Sequence, residues 1–483
     1  SLMEKIYKFI NGEFLLPSSN KYIEVIEPAT GIPYAEVPDS NYKDIDQAIN
    51  YASEAFISWS KTTIEKRSKI LNQIARGIDL HADRLADIES RDTGKPLSLS
   101  KSVDIPRAAE NFRFFSEHIL TFDFEKVLDG YGSINKIVRN PLGVVGCISP
   151  WNLPLYLFTW KIVPAIASGN CVIGKPSELT PYTAFELGKI CNEAGLPKGV
   201  LNIVNGSGNN VGTAITSHPK IKAVSFTGGT VTGKKINHSV SKDLKKVSLE
   251  MGGKNPTIIF NDCDFSRTLE STLRSSFSNQ GSICLSGSRI LIEDSIYKKF
   301  RSAFVKEVGK LNIGDPVKKS TDLGALISKE HLEKVFGYVK IAKDEGAKIL
   351  TGGNRVYFNG RLKAGYFMEP TVIEGLDENC QTNQEEIFGP IVTLIPFNSE
   401  DEAIRIANAT DYGLAASIWS KDLDKASRVA QQINFGIVWL NCWMVRDLRT
   451  PFGGTKKSGL GREGGDDGIE FFTEPKNICM VES

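Results

Sequence analysis

A thiol, an amide and a carboxylate in this chain each stand where covalent chemistry could use them. Cys284 falls in the stretch SFSNQGSICLSGSR (276–289), just after Gly281, where a helical pattern gives way to a strand pattern. Small polar residues (Ser286, Gly287, Ser288) follow it, which is not the apolar setting of a cysteine that merely fills space. A thiolate there could act as a nucleophile, although free cysteines are ordinarily buried small hydrophobes. Asn152, in ISPWNLP, ends a strand pattern and offers two side-chain N–H donors. Such an amide can stabilise a developing oxyanion, or simply cap a turn. Glu250, in LEMGGKNP, closes another strand with Gly252 and Gly253 behind it. A carboxylate at a strand end can serve as a general base, or be only solvated.

Two further stretches suit a phosphate-bearing ligand. FTGGTVTG carries Gly228 and Gly229 between a strand and a helix. Backbone N–H groups at a helix amino terminus attract phosphate, but the spacing is not G-x-G-x-x-G and an ordinary strand-to-helix turn would look the same. In KPSE, just past another strand end, Lys175, Ser177 and Glu178 could bond ribose hydroxyls or form a solvated loop.

These residues need a scaffold, and the patterning predicts one. Residues 6–36 alternate short apolar runs with turn residues, a small β-rich start. Residues 44–89 show helical spacing, and 98–120 a further helix interrupted or kinked at Asp104-Ile105-Pro106-Arg107. Residues 131–143 look extended. Strands at 144–148, 171–174, 200–204, 223–226 and 247–249 then alternate with helices at 155–167, 182–194, 212–217 and 230–239. Such βαβ succession implies a parallel, doubly wound sheet with ligands at the carboxyl ends of its strands. After Gly252-Gly253 a second α/β unit follows, with strands near 257–260, 290–292, 372–373, 393–396, 418–419 and 438–440. The tail, 477–481, reads as one more strand.

Composition narrows the partners. A formal net charge of +1 over 483 residues leaves no footprint for nucleic acid or an anionic membrane. The eight cysteines include no C-x-x-C pair and the five histidines are dispersed, so neither a metal site nor a disulfide framework is expected. No apolar run reaches the length of a membrane span, and no signal-peptide pattern opens the chain. The expectation is a cytoplasmic protein acting on small molecules.

The frames ISPWNLP, KPSELTP, FTGGTVTG, LEMGGKNP, NQGSIC, EEIFGP and PFGGTKKSGLGREG are similar, in order and spacing, to the NAD(P)-dependent aldehyde dehydrogenase superfamily, from Ile6 to Val481. The resemblance implies an α/β aldehyde dehydrogenase fold. In it, a Rossmann-like NAD-binding domain (1–118 and 141–252) is joined to an α/β catalytic domain (253–452) and a small β oligomerisation element (119–140 and 467–483). It implies Cys284 as nucleophile, Asn152 with the Cys284 N–H as oxyanion donors, and Glu250 as the base that activates water. It assigns Trp151, Lys175, Ser177, Glu178, Gly208, Gly228, Gly229, Met251, Glu386 and Phe388 to the cofactor, with Glu178 favouring NAD over NADP. Homodimers or homotetramers follow by the same analogy. Two positions depart from the pattern: Gly229 replaces a usual serine, and Ser282 a usual Gln or Glu.

SVDIPRAAENFRFF (102–115), WNLPLYLFTWK and NCWMVRDLRTPFGG (441–454) look like the dehydrogenases of 2-aminomuconate and 2-hydroxymuconate semialdehydes. That likeness assigns Arg107 and Arg446 to a substrate carboxylate, which a guanidinium fork can hold bidentately, and Leu157 and Trp160 to the pocket wall. It points to 2-aminomuconate 6-semialdehyde, with the 2-hydroxy compound next. Betaine or retinal aldehydes, a cation and a long apolar chain, suit two arginines poorly. Against the assignment, loop arginines mostly pair with local acids, and Asp104 and Asp447 are close by in sequence. A non-catalytic, crystallin-like relative would have lost Cys284 or Glu250, and a CoA-acylating one usually lacks the glutamate.

Overall fold

The computed structural model describes residues 2–481. Its first sheet runs in the order Gly459–Leu460, Lys246–Glu250, Ile221–Thr227, Val144–Ile148, Cys171–Lys175, Leu201–Ile203, Lys8–Ile10, Glu13–Leu15. The five central strands are mutually parallel and both margins are antiparallel. Parallel strands are covered by helices on both faces, which is why these read as continuous apolar runs. Val144–Ile148 and Cys171–Lys175 are buried along their whole length. From Val144–Ile148 the chain steps outward to Leu201–Ile203, then returns to lay Ile221–Thr227 on the opposite flank. A crevice opens at the carboxyl ends of strands where strand order reverses in this way.

The second sheet has the order Lys348–Thr351, Thr371–Glu374, Ile391–Phe397, Gly287–Glu293, Asn255–Ile259, Ala415–Trp419, Ile437–Leu440, all parallel except the first. Lys246–Glu250 ends one sheet and Asn255–Ile259 begins the other only five residues later. The carboxyl edge of the first sheet therefore meets the amino edge of the second. Glu250 stands on one side of this seam and Cys284, just ahead of Gly287–Glu293, on the other.

Three expectations are refined. The helical spacing of 44–89 resolves into helices Tyr42–Trp59, Ile64–Leu80 and Ala82–Thr93. The interruption expected at Pro106 lies upstream of it, in a π-helical turn at Ser100–Asp104. Pro106 itself occupies the first turn of helix Ile105–Thr121, directly after that π-helical turn. The extended 131–143 segment is the second arm of a hairpin, Glu125–Gly130 with Ser133–Pro141, and Thr473–Met480 pairs along it. The first arm, EKVLDG, is exposed throughout and shows no buried face from which a strand could be read.

Arg289 secures the seam from beneath. It is fully buried, and donates to the carbonyls of Lys254 (2.8 Å), Ile406 (2.9 Å) and Ala407 (2.9 Å). Replacing it by methionine orphans three buried acceptors at about 1–3 kcal/mol each. R289M is expected to lower the melting temperature by about 5 °C or more in a thermal scan; an unchanged melt would show that those carbonyls find other donors.

Candidate active site

Helix Phe265–Phe277 stops at a turn in which Asn279, Gln280 and Gly281 all adopt left-handed backbone, with φ of 57°, 56° and 73°. A left-handed residue other than glycine costs about 1–2 kcal/mol, so side-chain bonds must hold this turn. Gln280 Oε1 accepts the Gly324 N–H at 2.8 Å, and Asn279 Nδ2 donates to the carbonyls of Asn152 (3.1 Å) and Ser282 (3.0 Å). Gly281 has no alternative: a Cβ there would lie 2.1 Å from the Gly389 carbonyl oxygen. Cys284 leaves this turn half-buried.

Asn152 approaches from the first sheet. Its Nδ2 donates to the Ser282 carbonyl at 3.0 Å, leaving the second N–H of the amide for another acceptor. The next helix, Pro154–Ala167, starts on a buried acid: Glu89 accepts the Leu155 N–H at 2.9 Å and the Thr183 hydroxyl at 3.1 Å. Burial pushes the Glu89 carboxyl up to about 8, and the helix amino terminus favours whatever negative charge it carries.

Glu250 is buried, and neither carboxylate oxygen has a hydrogen-bond partner. Burial, then the Glu463 carboxylate nearby, raise its pKa well above the ordinary range. Glu463 is paired with the buried Lys161 at 3.3 Å. Burial, then Glu250 and Glu386, push the Cys284 thiol up to about 12. Burial thus disfavours the ionised form of both the thiol and the carboxyl group. Across the seam, Glu386 accepts the Gly253 N–H at 2.8 Å, and burial brings it to about 7. A Cβ on Gly252 would meet that carboxylate at 2.0 Å, so this glycine is what allows Glu386 to lie there.

Lys175, Ser177, Glu178, Gly208, Gly228 and Gly229 all line one cleft of about 440 Å³ at the strand-order reversal, with Trp151 at its inner end. A dinucleotide fits this cleft's chemistry. A Cβ built on Gly208 or Gly229 meets nothing within 4 Å, so backbone faces open space. The Ser149 hydroxyl is buried without a partner, and Lys175 lies 3.5 Å from Glu178. The Ser177 hydroxyl is instead engaged by the Leu179 N–H (3.2 Å), and Met251 packs its sulfur under Gly233 of helix Thr230–Ser241.

The second cavity reaches Cys284 from the other side and is lined by Arg107, Leu157, Trp160 and Arg446 among others. The guanidinium carbons of Arg107 and Arg446 lie 5.6 Å and 5.8 Å from the Trp160 ring centroid. Arg107 also stacks on Tyr156 (4.8 Å) and Arg446 on Phe452 (4.3 Å). The local acids are engaged elsewhere: Asp104 with the buried Lys95, Asp447 with Arg449 at 2.6 Å. Arg107 Nη2 and Arg446 Nε are left buried without partners. Arg113 pairs at the surface with Asp79.

Several contributors escaped the sequence reading. Trp443 Nε1 donates to the Leu285 carbonyl (3.0 Å) and Trp439 Nε1 to the Val445 carbonyl (2.9 Å), tying the Arg446 loop to the thiol segment. Tyr156, Met444 and Phe452 line the arginine cavity, and Lys161 and Glu463 form the buried pair behind Glu250. The frames WNLPLYLFTWK, NCWMVRDLRTPFGG and GLGREG contain all of them but Trp439, yet nothing in their spacing marks one side chain as inward. Ser282, anomalous in the sequence, donates its hydroxyl to the Phe388 carbonyl at 3.0 Å.

A family model described as "Aldehyde dehydrogenase family" matches residues 14–478. The chain belongs to the aldehyde dehydrogenase family. The human 2-aminomuconic semialdehyde dehydrogenase is 49% identical over 476 residues, covering 98% of this chain and 97% of the relative. The 2-hydroxymuconic semialdehyde dehydrogenase of Pseudomonas sp. (strain CF600) is 44% identical, covering 99% of this chain and all of the relative (100%). Among solved structures, the NAD+ complex of Staphylococcus aureus betaine aldehyde dehydrogenase superposes with a TM-score of 0.95 at 39% identity, covering 98% of this chain and 94% of that one. The aldehyde dehydrogenase fold, with its Rossmann-like sheet, is the one expected from the motif frames. Among the described residues no helix is long and apolar enough to cross a membrane, and no cluster of His, Cys, Asp or Glu could hold a metal ion.

The state of the thiol is measurable. Alkylation of Cys284 by iodoacetamide, followed by mass spectrometry of its peptide, should accelerate about tenfold per pH unit from pH 7 to 10. A plateau beginning near pH 8 would mean that the thiol is not held up by its surroundings.

Proposed function

We propose that this aldehyde dehydrogenase oxidises, with NAD, an aldehyde that carries a carboxylate, with 2-aminomuconate 6-semialdehyde first and its 2-hydroxy analogue second. One observation carries the substrate class: two half-buried arginines without acid partners, each with one buried guanidinium nitrogen that lacks a hydrogen-bond partner, line the cavity that reaches Cys284. Stacking on aromatic rings returns only about 0.5–2 kcal/mol to each, whereas a bound carboxylate supplies the charge that both lack. A trimethylammonium substrate would face two cations. Retinal would leave both unpaired. The names of the human and Pseudomonas relatives support the same class.

In this reading the Cys284 sulfur bonds to the aldehyde carbon while its proton passes to a base. The oxyanion accepts from the free Asn152 N–H and the Cys284 backbone N–H, each such donor being worth about 3 kcal/mol at the transition state. Lys175, Glu178 and the Gly228-Gly229 turn would hold NAD in the cleft, Glu386 and Phe388 would hold its nicotinamide half, and the bound cofactor would supply the hydride acceptor. Glu250 then takes a proton from the water that cleaves the resulting thioester, releasing the acid. Lys161 and Glu463 lie behind Glu250 to carry that proton away. The carboxylate of Glu178 disfavours the extra phosphate of NADP.

For the wider organisation, we assign 1–118 with 141–252 to cofactor binding, 253–452 to catalysis, and 119–140 with 467–483 to subunit bridging. Apolar side chains on the small third sheet support the last: Val127 and Ile478 are 61% and 50% exposed. A homodimer or homotetramer is the assembly that would cover them. Free cysteines throughout fit a reducing compartment, for which we take the cytoplasm.

The deciding experiment compares NADH formation with 2-aminomuconate, 2-hydroxymuconate, betaine and retinal aldehydes. A kcat/KM for betaine aldehyde well above both muconic substrates would overturn the reading. Arg446→Ala and Arg107→Ala should each lower kcat/KM for the muconic substrate by about 2–5 kcal/mol, thirtyfold or more, with little change for an uncharged aldehyde. The pH profile is a separate check. Glu250 is a base only above its raised pKa, so the rate of thioester hydrolysis should climb with pH through a limb far above the usual carboxylate range. Glu250→Gln should remove the limb along with most of the rate.

A further inference from the structure

Phe388 has left-handed backbone, φ 62°, which is uncommon for a bulky residue. Its carbonyl accepts two hydrogen bonds, from the Ser282 hydroxyl at 3.0 Å and from His331 Nε2 at 2.8 Å. Because the acceptor is a carbonyl, Nε2 must carry the ring proton. The rings of Trp151, His331 and Phe388 pack edge to face, Trp151 lying 5.4 Å from Phe388 and 5.1 Å from His331. Ser282 also faces the opposite way, its own carbonyl accepting the amides of Asn152 and Asn279 at 3.0 Å each. No slack separates the two loops, since Gly281 and Gly389 are in backbone contact.

We propose that Ser282 and His331 are positioning residues, a two-donor clamp that holds the Phe388 loop in its left-handed conformation and couples it to the turn bearing Cys284 and the amide of Asn152. The serine that departs from the family pattern thereby acquires a task. The clamp has two consequences. It keeps the thiol turn rigid before any ligand arrives, and it fixes the Phe388 ring as a wall of the cofactor site. The second consequence rests on the NAD-dependent reading above; the first does not.

The test uses the full-length protein with three substitutions. Ser282→Ala and His331→Phe each remove one donor, while Ser282→Thr keeps the hydroxyl. Without nucleotide, Cys284 alkylation at fixed pH should change at least fivefold in S282A and in H331F and less than twofold in S282T. The dissociation constant for NAD+, followed by tryptophan fluorescence, should rise about tenfold in the first two and less than threefold in the third. Alkylation within twofold of the unsubstituted protein in either S282A or H331F overturns the clamp. So does a loss in S282T equal to that in S282A. Failure of the unsubstituted protein to bind NAD+ would instead sink the cofactor reading, with the alkylation comparison still deciding the clamp. Should S282A not fold, H331F against the unsubstituted protein carries the same decision.

Discussion

The contact between the Gly252-Gly253 backbone and the Glu386 carboxylate governs how the two halves of this enzyme meet. The carboxylate accepts the Gly253 N–H at 2.8 Å and occupies the space that a side chain on Gly252 would need. Only a residue without Cβ lets the chain leave the first sheet at Glu250 and enter the second at Asn255 with an acidic loop laid across the joint. Arg289 braces the same joint through the Lys254 carbonyl. With that seam set, the carboxyl edge of one sheet and the amino edge of the other face each other closely enough for the Glu250 carboxyl to act electrostatically on the Cys284 thiol.

Burial is the second constraint, and it changes what the catalytic groups are at rest. Desolvation favours the neutral form of every acid at the seam, so the Cys284 thiol, Glu250 and Glu386 are all displaced upward. A permanently ionised thiolate there would be exposed to oxidation and adventitious alkylation. The Lys161–Glu463 pair adds to the effect of burial, since an anion held near Glu250 raises its pKa further.

Substrate selection is built by a different device. Arg107 sits in the first turn of a helix and Arg446 on a loop pinned by Trp443, and they converge from these unrelated elements on Trp160. What recommends them as the proposed binding site is not their presence but the diversion of their sequence neighbours. Lys95 takes Asp104, and Arg449 takes Asp447. Two cations without acid partners at one cavity favour an anion there, and an aldehyde carrying one would, in the proposed reading, have its far end anchored and its reactive end at the thiol.

Much was legible from the chain alone. Apolar runs covered on both faces made the parallel strands of both sheets readable, though not their antiparallel margins, and motif order placed Cys284, Glu250 and Asn152 in one family of sites. The exposed arm Glu125–Gly130 was not legible, because a strand with no buried face has no alternation to read. Side-chain partnership was equally hidden. Sequence proximity paired Arg107 with Asp104 and Arg446 with Asp447, whereas the fold gave both acids to other cations. Ser282 looked like an unexplained departure until the loop carrying Phe388 was brought against it. The sequence by itself determined which residues can do chemistry and the order of the elements that carry them, since periodicity and local type are properties of neighbours along the chain. Only the tertiary structure decided which loops touch, because that depends on close approach between segments more than a hundred residues apart, and which of several nearby cations each acid takes, because that depends on where the backbone aims the side chains.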